Sequence, residues 1–142
     1  MDTIKMKEVH RMLIEALNTH DANKVDMIFA DNYIVHEGFD DDLTERSYSV
    51  SKEMIRGAIG NPLRGIPDKK IELQFQIAEN DLVMSYCVSN ATHTEIWGGR
   101  KPSGKPVRYV NTFISKLNED YKIIEHWVYF DAFGAFMQSG VI

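Results

Sequence analysis

The first part of the chain has the hydrophobic spacing of amphipathic helices. Apolar residues recur at three- and four-residue steps in three segments, at Met6, Val9, Leu13 and Leu17, at Val25, Ile28 and Phe29, and across residues 52–59. Each segment follows a residue that favours an N-cap: Thr3, then Asp21, then Ser47 or Ser51. The pattern predicts three helices in the N-terminal half.

The remaining segments have the two-residue period of strands. It is clearest at Ile71, Leu73, Phe75 and Ile77, which alternate with polar residues. Strands are predicted at 33–37, 71–77, 82–94, 107–117 and 123–131, with an exposed loop after Gly38 and another at 98–106. Helices on one side of a mostly antiparallel sheet make an α+β domain, and long hairpins around three helices suggest a curved sheet wrapped into a hollow cone. No linker is visible, so residues 1–142 are predicted to form one domain.

The last strand is bulky on both faces. One face carries Ile123, Glu125, Trp127, Tyr129 and Asp131, and the other carries Ile124, His126, Val128 and Phe130. Such a strand needs helices on one side and a second covering, often another subunit, on the other. If the face of Asp131 lines a pocket, its carboxylate is poorly solvated and its basicity is raised. Alternatively, Asp131 caps a short helical segment at 132–137, and the two roles can coexist.

Composition excludes several classes of function. The net charge is −5, and the basic residues are scattered, so we expect neither nucleic acid nor an anionic membrane as a partner. Cys87 is the single cysteine, which excludes an internal disulfide and favours a reducing compartment. The N-terminus lacks the apolar core of a signal peptide, and the location expected is cytoplasmic. No two histidines have the spacing of a zinc motif, and neither a metal nor another cofactor is expected.

Two long segments carry a family resemblance. The segments IPDKKIELQFQIAENDLVMSYCVSNATHTEIWGGRKPSGKPVRY and KIIEHWVYFDAFGAFMQSG resemble the SnoaL-like polyketide cyclases of the nuclear transport factor 2-like superfamily. The resemblance extends over nearly the whole chain, and its main parts are Thr92-His93-Thr94, Pro102-Ser103-Gly104 and Glu125-His126-Trp127. It implies a cystatin-like cone with three N-terminal helices packed on a strongly curved sheet. In the polyketide cyclases, the aspartate after the EHW-type strand is the acid/base of an intramolecular aldol closure without metal or organic cofactor, which implies that role for Asp131.

Further residues are candidates for the site. His36, in the first strand, can polarise a carbonyl or orient a ligand, although a structural histidine is equally consistent. His93, in the strand-end motif, is the third catalytic candidate beside Asp131 and His36. Trp127, Tyr129, Asn111 and Arg108 are the candidates for binding substrate. The register of strand 107–117 is open, so the sequence does not decide whether Asn111 or Thr112 faces Trp127.

The other polar candidates have more ordinary interpretations. Arg108 and Asp131 can be cross-strand neighbours, which would suggest a hydrolase in which Arg and Asp activate water, or a simple salt bridge. The parity of His126 directs it to the face opposite Asp131 and to a subunit interface. His10 and His20 are expected on the surface, and Ser103 has no apparent base to activate it.

The function expected is therefore a cofactor-independent cyclase or isomerase that acts on an apolar carbonyl compound, polyketide-like or ester-like, by carboxylate acid/base catalysis. One alternative is a non-catalytic module that binds a small molecule, and another is a hydrolase with an Arg/Asp-activated water. The partners expected are a small apolar organic ligand and a second copy of the chain, packed through the outer face of the sheet.

Overall fold

The helices of the N-terminal half start at side-chain caps. The computed structural model describes all residues 1–142, and its first helix, α1 (Thr3–Thr19), begins after Asp2, whose carboxylate accepts from the backbone of Ile4 and Lys5. Asp2 is therefore the N-cap, and Thr3 already lies in the first turn. A 3-10 turn (Ala22–Lys24), capped by Asp21 as predicted, leads into α2 (Val25–Ile28). The third helix, α3 (Lys52–Gly60), is capped by Ser51, which decides between the two serines.

Six strands form one sheet. They are β1 (Phe29–Phe39), β2 (Glu45–Ser51), β3 (Lys70–Glu79), β4 (Leu82–Thr92), β5 (Pro106–Leu117) and β6 (Ile123–Phe130). Their order across the sheet is β2-β1-β6-β5-β4-β3, and every neighbouring pair is antiparallel except β1 with β6. The predicted strands are present, and β1 is longer than expected. Strand β2 was not predicted because Val50 is its only buried residue, so its sequence shows no alternation.

The helices cover one face of the sheet, which we call the inner face. Alternate residues of β4 and β5 are buried there, from Val83 to Ala91 and from Val107 to Leu117. The main core cluster joins this face to the apolar stripes of α1, α2 and α3, through residues such as Met6, Leu13, Ile28 and Ile59. The predicted α+β cone is thereby confirmed. None of the helices combines the length and the apolar character that crossing a membrane requires.

A C-terminal helix completes the sheet where β6 ends. Phe130 lies opposite Asn111, which leaves the first residues of β5 without a strand partner on that side. Helix α4 (Ala132–Ser139) takes this place: the Gln138 side-chain amide accepts from the backbone N–H of Arg108 at 2.7 Å and donates to its carbonyl at 2.8 Å. The amide thus pairs with the free edge as a neighbouring strand would.

Candidate functional site

The register of the last hairpin decides which side chains share a face. Trp127 lies opposite Ile114 and Tyr129 opposite Thr112, whereas His126 lies opposite Ser115. Because directly opposed residues point to the same side and Ser115 is fully buried under the helices, His126 belongs to the inner face. The expectation that Trp127 and Tyr129 line the pocket is therefore wrong; they lie on the outer face, where Tyr129 is 45% exposed.

Asp131 lies at the surface as the N-cap of α4. Its carboxylate accepts from the backbone N–H of Gly134 at 2.9 Å, and the residue is exposed. The alternative interpretation of Asp131 as a cap is confirmed, and the burial that the acid/base hypothesis requires is not observed. The guanidinium of Arg108 donates to Asn90 at 2.9 Å and forms no ion pair with Asp131. The convergence that an Arg/Asp-activated water needs is therefore absent.

His36 also lies on the outer face, in an ion-pair cluster. Its Nδ1 is 2.6 Å from Glu45, its Nε2 is 3.0 Å from Glu125, and its ring stacks on Trp127 with centroids 4.6 Å apart. Desolvation lowers the pKa of His36, but the hydrogen bonds to the two carboxylates outweigh it, so the net shift is upward. An imidazolium donates through both nitrogens, which matches these contacts. His36 is separated by the sheet from every inner-face residue.

A buried chain of hydrogen bonds runs across the inner face. His10 Nδ1 lies 2.8 Å from Ser85 Oγ, His10 Nε2 lies 2.9 Å from Ser115 Oγ, and Ser115 Oγ lies 2.6 Å from His126 Nδ1. His10 was expected on the surface and His126 at an interface, and both expectations are wrong. The reason is that α1 packs its His10 side onto β4 and β5, where two small serines leave room for an imidazole.

The hydrogen bonds of this chain all donate in the same direction, from Gln76 towards His126. Gln76 donates through Nε2 to the backbone carbonyl of Lys7 at 2.9 Å and to Ser85 at 3.1 Å. Ser85 therefore accepts from Gln76, and its own buried hydrogen is satisfied by donation to His10 Nδ1, the other hydrogen-bond partner of this hydroxyl. The order of donation is Gln76 to Ser85, Ser85 to His10, His10 to Ser115, and Ser115 to His126. This order places the proton of the neutral His126 on Nε2, which has no hydrogen-bond partner in the protein.

Both histidines of the chain are neutral at ordinary pH. Burial, and in addition the neighbouring His126, lowers the pKa of His10 to about 3, and burial lowers the pKa of His126 to about 4. The surroundings of His126 are aromatic, with the ring of Phe113 stacked at 5.9 Å and the ring of Tyr33 at 6.4 Å. A neutral imidazole N–H in such an apolar environment is a hydrogen-bond donor rather than an acid.

The inner face becomes more open beyond His126. His126 is 6% exposed, Val128 is half-buried, and Phe130 is 49% exposed on the same face. Opposite Phe130 lies Asn111, 4% exposed, whose Oδ1 accepts from Ser89 at 2.6 Å, so the amide N–H groups are its free donors. Of the sequence-predicted residues, Asn111 is therefore the one that joins this group. We call His126, Val128, Phe130 and Asn111 the inner-face site.

His93 is buried away from this site, beyond the end of β4. Its Nδ1 lies 2.9 Å from the hydroxyl of Ser103 and accepts from the backbone N–H of Ser103 at 3.2 Å. The neutral ring therefore carries its proton on Nε2, which is buried without a partner. Ser103 does have a histidine beside it, contrary to expectation. The structure brings His93 together with neither Asp131 nor His36.

Two open clefts lie at the ends of the helices. The first, of about 300 Å³, is bounded by the ends of α1 and α3 and the following loop, and its lining includes Leu17, His20, Ile59, Pro62, Leu63 and Lys69. The second, of about 460 Å³, lies between the loop 99–105 and the end of α4 and is lined by polar residues and glycines. No group of three or more His, Cys, Asp or Glu side chains is arranged to hold a metal ion.

Comparison with known proteins agrees with this architecture. The sequence profile of the SnoaL-like polyketide cyclases matches residues 7–139. The chain belongs to this family. A comparison with curated protein sequences found no match. The family is of the cyclase or isomerase type, and its profile spans both the helical half and the sheet.

Solved structures share the fold at low identity. IdmH from Streptomyces antibioticus, a candidate polyketide cyclase, is 23% identical, with a TM-score of 0.75 over 95% of this chain and 98% of that one. AclR from Streptomyces galilaeus, a candidate hydroxylase, is 19% identical, with a TM-score of 0.78 over 99% and 84%. A candidate polyketide cyclase from Acidithiobacillus ferrooxidans is 20% identical, with a TM-score of 0.78 over 96% and 95%.

Two residues of the buried hydrogen-bond chain, His10 and His126, could be recognised from the sequence as core positions. His10 follows Val9 within the apolar stripe of α1, four residues after Met6, which marks it as a core position. His126 shares its face with Val128 and Phe130, so its burial follows once that face is known to lie under the helices. The serines of the chain gave no comparable signal, because small polar residues are common on both faces of a strand.

Proposed function

We propose that this SnoaL-like protein is a cofactor-independent cyclase or isomerase of an apolar carbonyl compound, which binds at the inner-face site with its oxygen on His126. The observation that carries the proposal is the directed hydrogen-bond chain, which ends at an unpartnered N–H in an aromatic environment. Ligand sites are mostly apolar and have a few well-placed polar groups of this kind.

The chemistry is enolisation of the bound ketone. A hydroxide ion or buffer base from the solvent, which reaches the open end of the site at the half-exposed Phe130, takes the α-proton. As the proton leaves, negative charge develops on the carbonyl oxygen, and the His126 N–H strengthens its hydrogen bond to that oxygen. The donors behind His126 keep its proton on Nε2, so little reorganisation is needed as charge develops. Removal of one such donor in other enzymes lowers the rate by about 10² to 10³ fold. The enolate carbon then attacks a second carbonyl in a cyclisation, or is reprotonated at another position in an isomerisation.

The site has a second donor at a useful distance. Asn111 lies opposite Phe130, and His126 precedes Phe130 by four residues on the same face. At about 3.3 Å per residue, the two donors are separated by roughly 13 Å along the strand. They cannot bind one oxygen, but they suit two carbonyl groups of an extended or polycyclic compound. A compound with several carbonyl groups is therefore the substrate class we favour.

Asp131 keeps its acid/base role only as a prediction from the family resemblance. It follows His126 by five residues along an extended segment, which corresponds to about 16 Å. A carboxylate at that distance does not reach the α-carbon of a carbonyl bound to His126. The roles of the two residues are therefore separable by mutation.

The test is deuterium exchange at the α-carbon of 2-tetralone, an apolar ketone, followed by NMR in D2O. We expect exchange above the buffer rate with the wild type and a loss of about 10² fold in His126→Asn, which keeps an acceptor for Ser115 but lacks the distal N–H. His36→Gln, on the outer face, is the matched control and should exchange at the wild-type rate.

Asp131→Asn completes the experiment, because it preserves the cap. A loss in that variant alone would transfer the catalytic role to Asp131 and refute the assignment to His126. Exchange at the buffer rate with the wild type would refute the enolisation chemistry.

A specific observation supports a second candidate, a non-catalytic module that binds a small molecule. The aspartate that resembles the acid/base of the polyketide cyclases is exposed and occupied as a helix cap. This candidate predicts that 2-tetralone binds, as seen in shifted inner-face resonances, without any exchange of its α-protons.

We also propose that the chain forms a homodimer through the outer face of the sheet, in a reducing cytoplasmic compartment. Large apolar side chains are half exposed there, including Ile34 (43%), Phe75 (50%), Ile77 (56%) and Tyr129 (45%). An apolar surface of this extent on a sheet favours burial against a second copy. The proposed ligand lies on the opposite face and does not compete with this contact.

A further inference from the structure

The first cleft combines an apolar lining with one lysine. Leu17 and Ile59 at its base pack against the core, and Pro62 and Leu63 form its outer wall. Lys69 lines the same cleft, is half-buried and makes no ion pair with any carboxylate. The adjacent Lys70 is different: it is exposed, and its ammonium donates to the carbonyl of Asn18.

Two carboxylates of the adjoining segments bond to backbone groups rather than to Lys69. Asp68 accepts from the backbone N–H of Thr92 at 2.7 Å, and Glu95 accepts from the backbone N–H of Gly65 at 3.1 Å. The other basic residue that lines the cleft, Arg64, is exposed to solvent. Burial lowers the pKa of Lys69, so a larger fraction of its amine is neutral than for an exposed lysine. Desolvation of a lysine in an apolar pocket is one of the arrangements that make an amine nucleophilic.

A base lies in the same cleft. His20 Nδ1 is 3.1 Å from the backbone carbonyl of Ile59, and because a carbonyl only accepts, Nδ1 carries the proton. The remaining nitrogen, Nε2, is therefore the unprotonated acceptor of the neutral ring. His20 and Lys69 both line the cleft. The cleft thus holds an amine, a proton acceptor and an apolar lining.

We propose that Lys69 captures a ketone or an aldehyde in this cleft as an imine, with His20 as the proton carrier. The amine nitrogen adds to the carbonyl carbon, and His20 carries one proton from the nitrogen to the oxygen, which gives a neutral carbinolamine. The C–O bond then breaks and the hydroxyl departs as one water, whose second hydrogen is the remaining N–H proton carried by His20, and the C=N bond is left. The step needs no oxidant, reductant or other reactant. The substrate class is a small apolar carbonyl compound, because the cleft volume is about 300 Å³.

This inference goes beyond the proposed function. It concerns a separate cleft. Covalent capture requires neither turnover nor the buried chain of hydrogen bonds that ends at His126. A failure of capture would leave the proposed enolisation untouched, and the reverse also holds.

The test uses acetylacetone, a 1,3-diketone that an unprotonated amine converts to an enaminone with loss of one water. The enaminone absorbs in the near ultraviolet, and peptide mass spectrometry locates it by the mass of acetylacetone less water. We expect Lys69 to be labelled about tenfold or more faster than the other lysines of the folded wild type at neutral pH. The absorbance should be lost in Lys69→Met and retained in Lys70→Met.

The comparison among lysines within the wild type makes the test independent of the stability of any variant. Labelling of Lys69 at the rate of the exposed Lys70 would overturn the proposal, as would the absence of label at Lys69. His20→Gln tests the base: slower labelling at Lys69 with an unchanged rate at Lys70 supports its role, and an unchanged rate at both refutes it.

Discussion

Acidification is predicted to unfold this protein through the two buried histidines. Each is neutral in the folded state, with a pKa of about 3 for His10 and about 4 for His126, whereas an unfolded histidine titrates near 6.5. As pH falls below 6.5, the unfolded chain takes up protons that the folded chain does not, so stability is lost between pH 6.5 and the folded-state values. A residue with a raised pKa, such as His36, has the opposite dependence.

The magnitude follows from the linkage relation. Between pH 7 and pH 5, each histidine is expected to lower the free energy of unfolding by about 2 kcal/mol, and the two together by about 4 kcal/mol. Most of the ordinary titration of Asp and Glu occurs below this range, so the histidines dominate it. A loss of 4 kcal/mol is a large part of the total stability of a typical domain.

The assay is urea unfolding at several pH values, with His10→Gln and His126→Gln as variants. Glutamine bears hydrogen-bonding groups but does not take up a proton in this range, so each variant should lose about half of the pH dependence. His36→Gln is the control: it keeps the full contribution of the two buried histidines, and because it removes a residue whose raised pKa opposes the loss, its loss on acidification should be at least that of the wild type. Two results would refute the claim that His10 and His126 are buried and neutral in the folded state. One is equal stability of the wild type at pH 7 and pH 5, and the other is an undiminished pH dependence in both glutamine variants.

Three other predictions concern the surface and the backbone. Asp131→Ala should lower the free energy of unfolding by about 1 kcal/mol because Gly134 loses its cap acceptor, whereas Asp131→Asn should be nearly neutral in thermal unfolding. Gly65→Ala should cost about 2 to 3 kcal/mol in urea unfolding, because φ is +94° and a Cβ would lie 2.6 Å from Trp97; a neutral effect would contradict this packing. Phe75→Lys should convert the proposed dimer to a monomer in sedimentation velocity, and an unchanged mass would exclude that face.

The fold was largely predictable because its signals are local. Helical spacing and N-caps located the helices, and strict alternation located β3. The alternation did not reveal the bulge between Leu73 and Phe75, which leaves Ile71 buried on the inner face and turns Phe75 and Ile77 to the outer face. Strand β2 was missed because it lies at the sheet edge and buries only Val50. The cap at Asp131 was predictable for the same reason as the other caps, from a residue type directly before a helical segment.

The site was predictable only in part, because it depends on which face the helices cover. The parity of the last strand correctly separated Asp131 from His126, but parity alone does not tell inner from outer. The aromatic face of Trp127 appeared more typical of a pocket, whereas the structure covers the face of His126. Contacts such as His10 with Ser115 join residues more than a hundred positions apart, and no local pattern predicts them.

The most direct test of the central claim is the ¹⁵N imidazole NMR spectrum of the protein, recorded with and without 2-naphthol, an analogue of the enol of 2-tetralone. The proposal predicts that His126 is neutral at pH 7, carries its proton on Nε2, and shows a shift of that N–H when 2-naphthol is added, while His36 is unchanged. A proton on Nδ1, or a His126 resonance that 2-naphthol leaves unmoved, would contradict the claim that this histidine donates to the substrate.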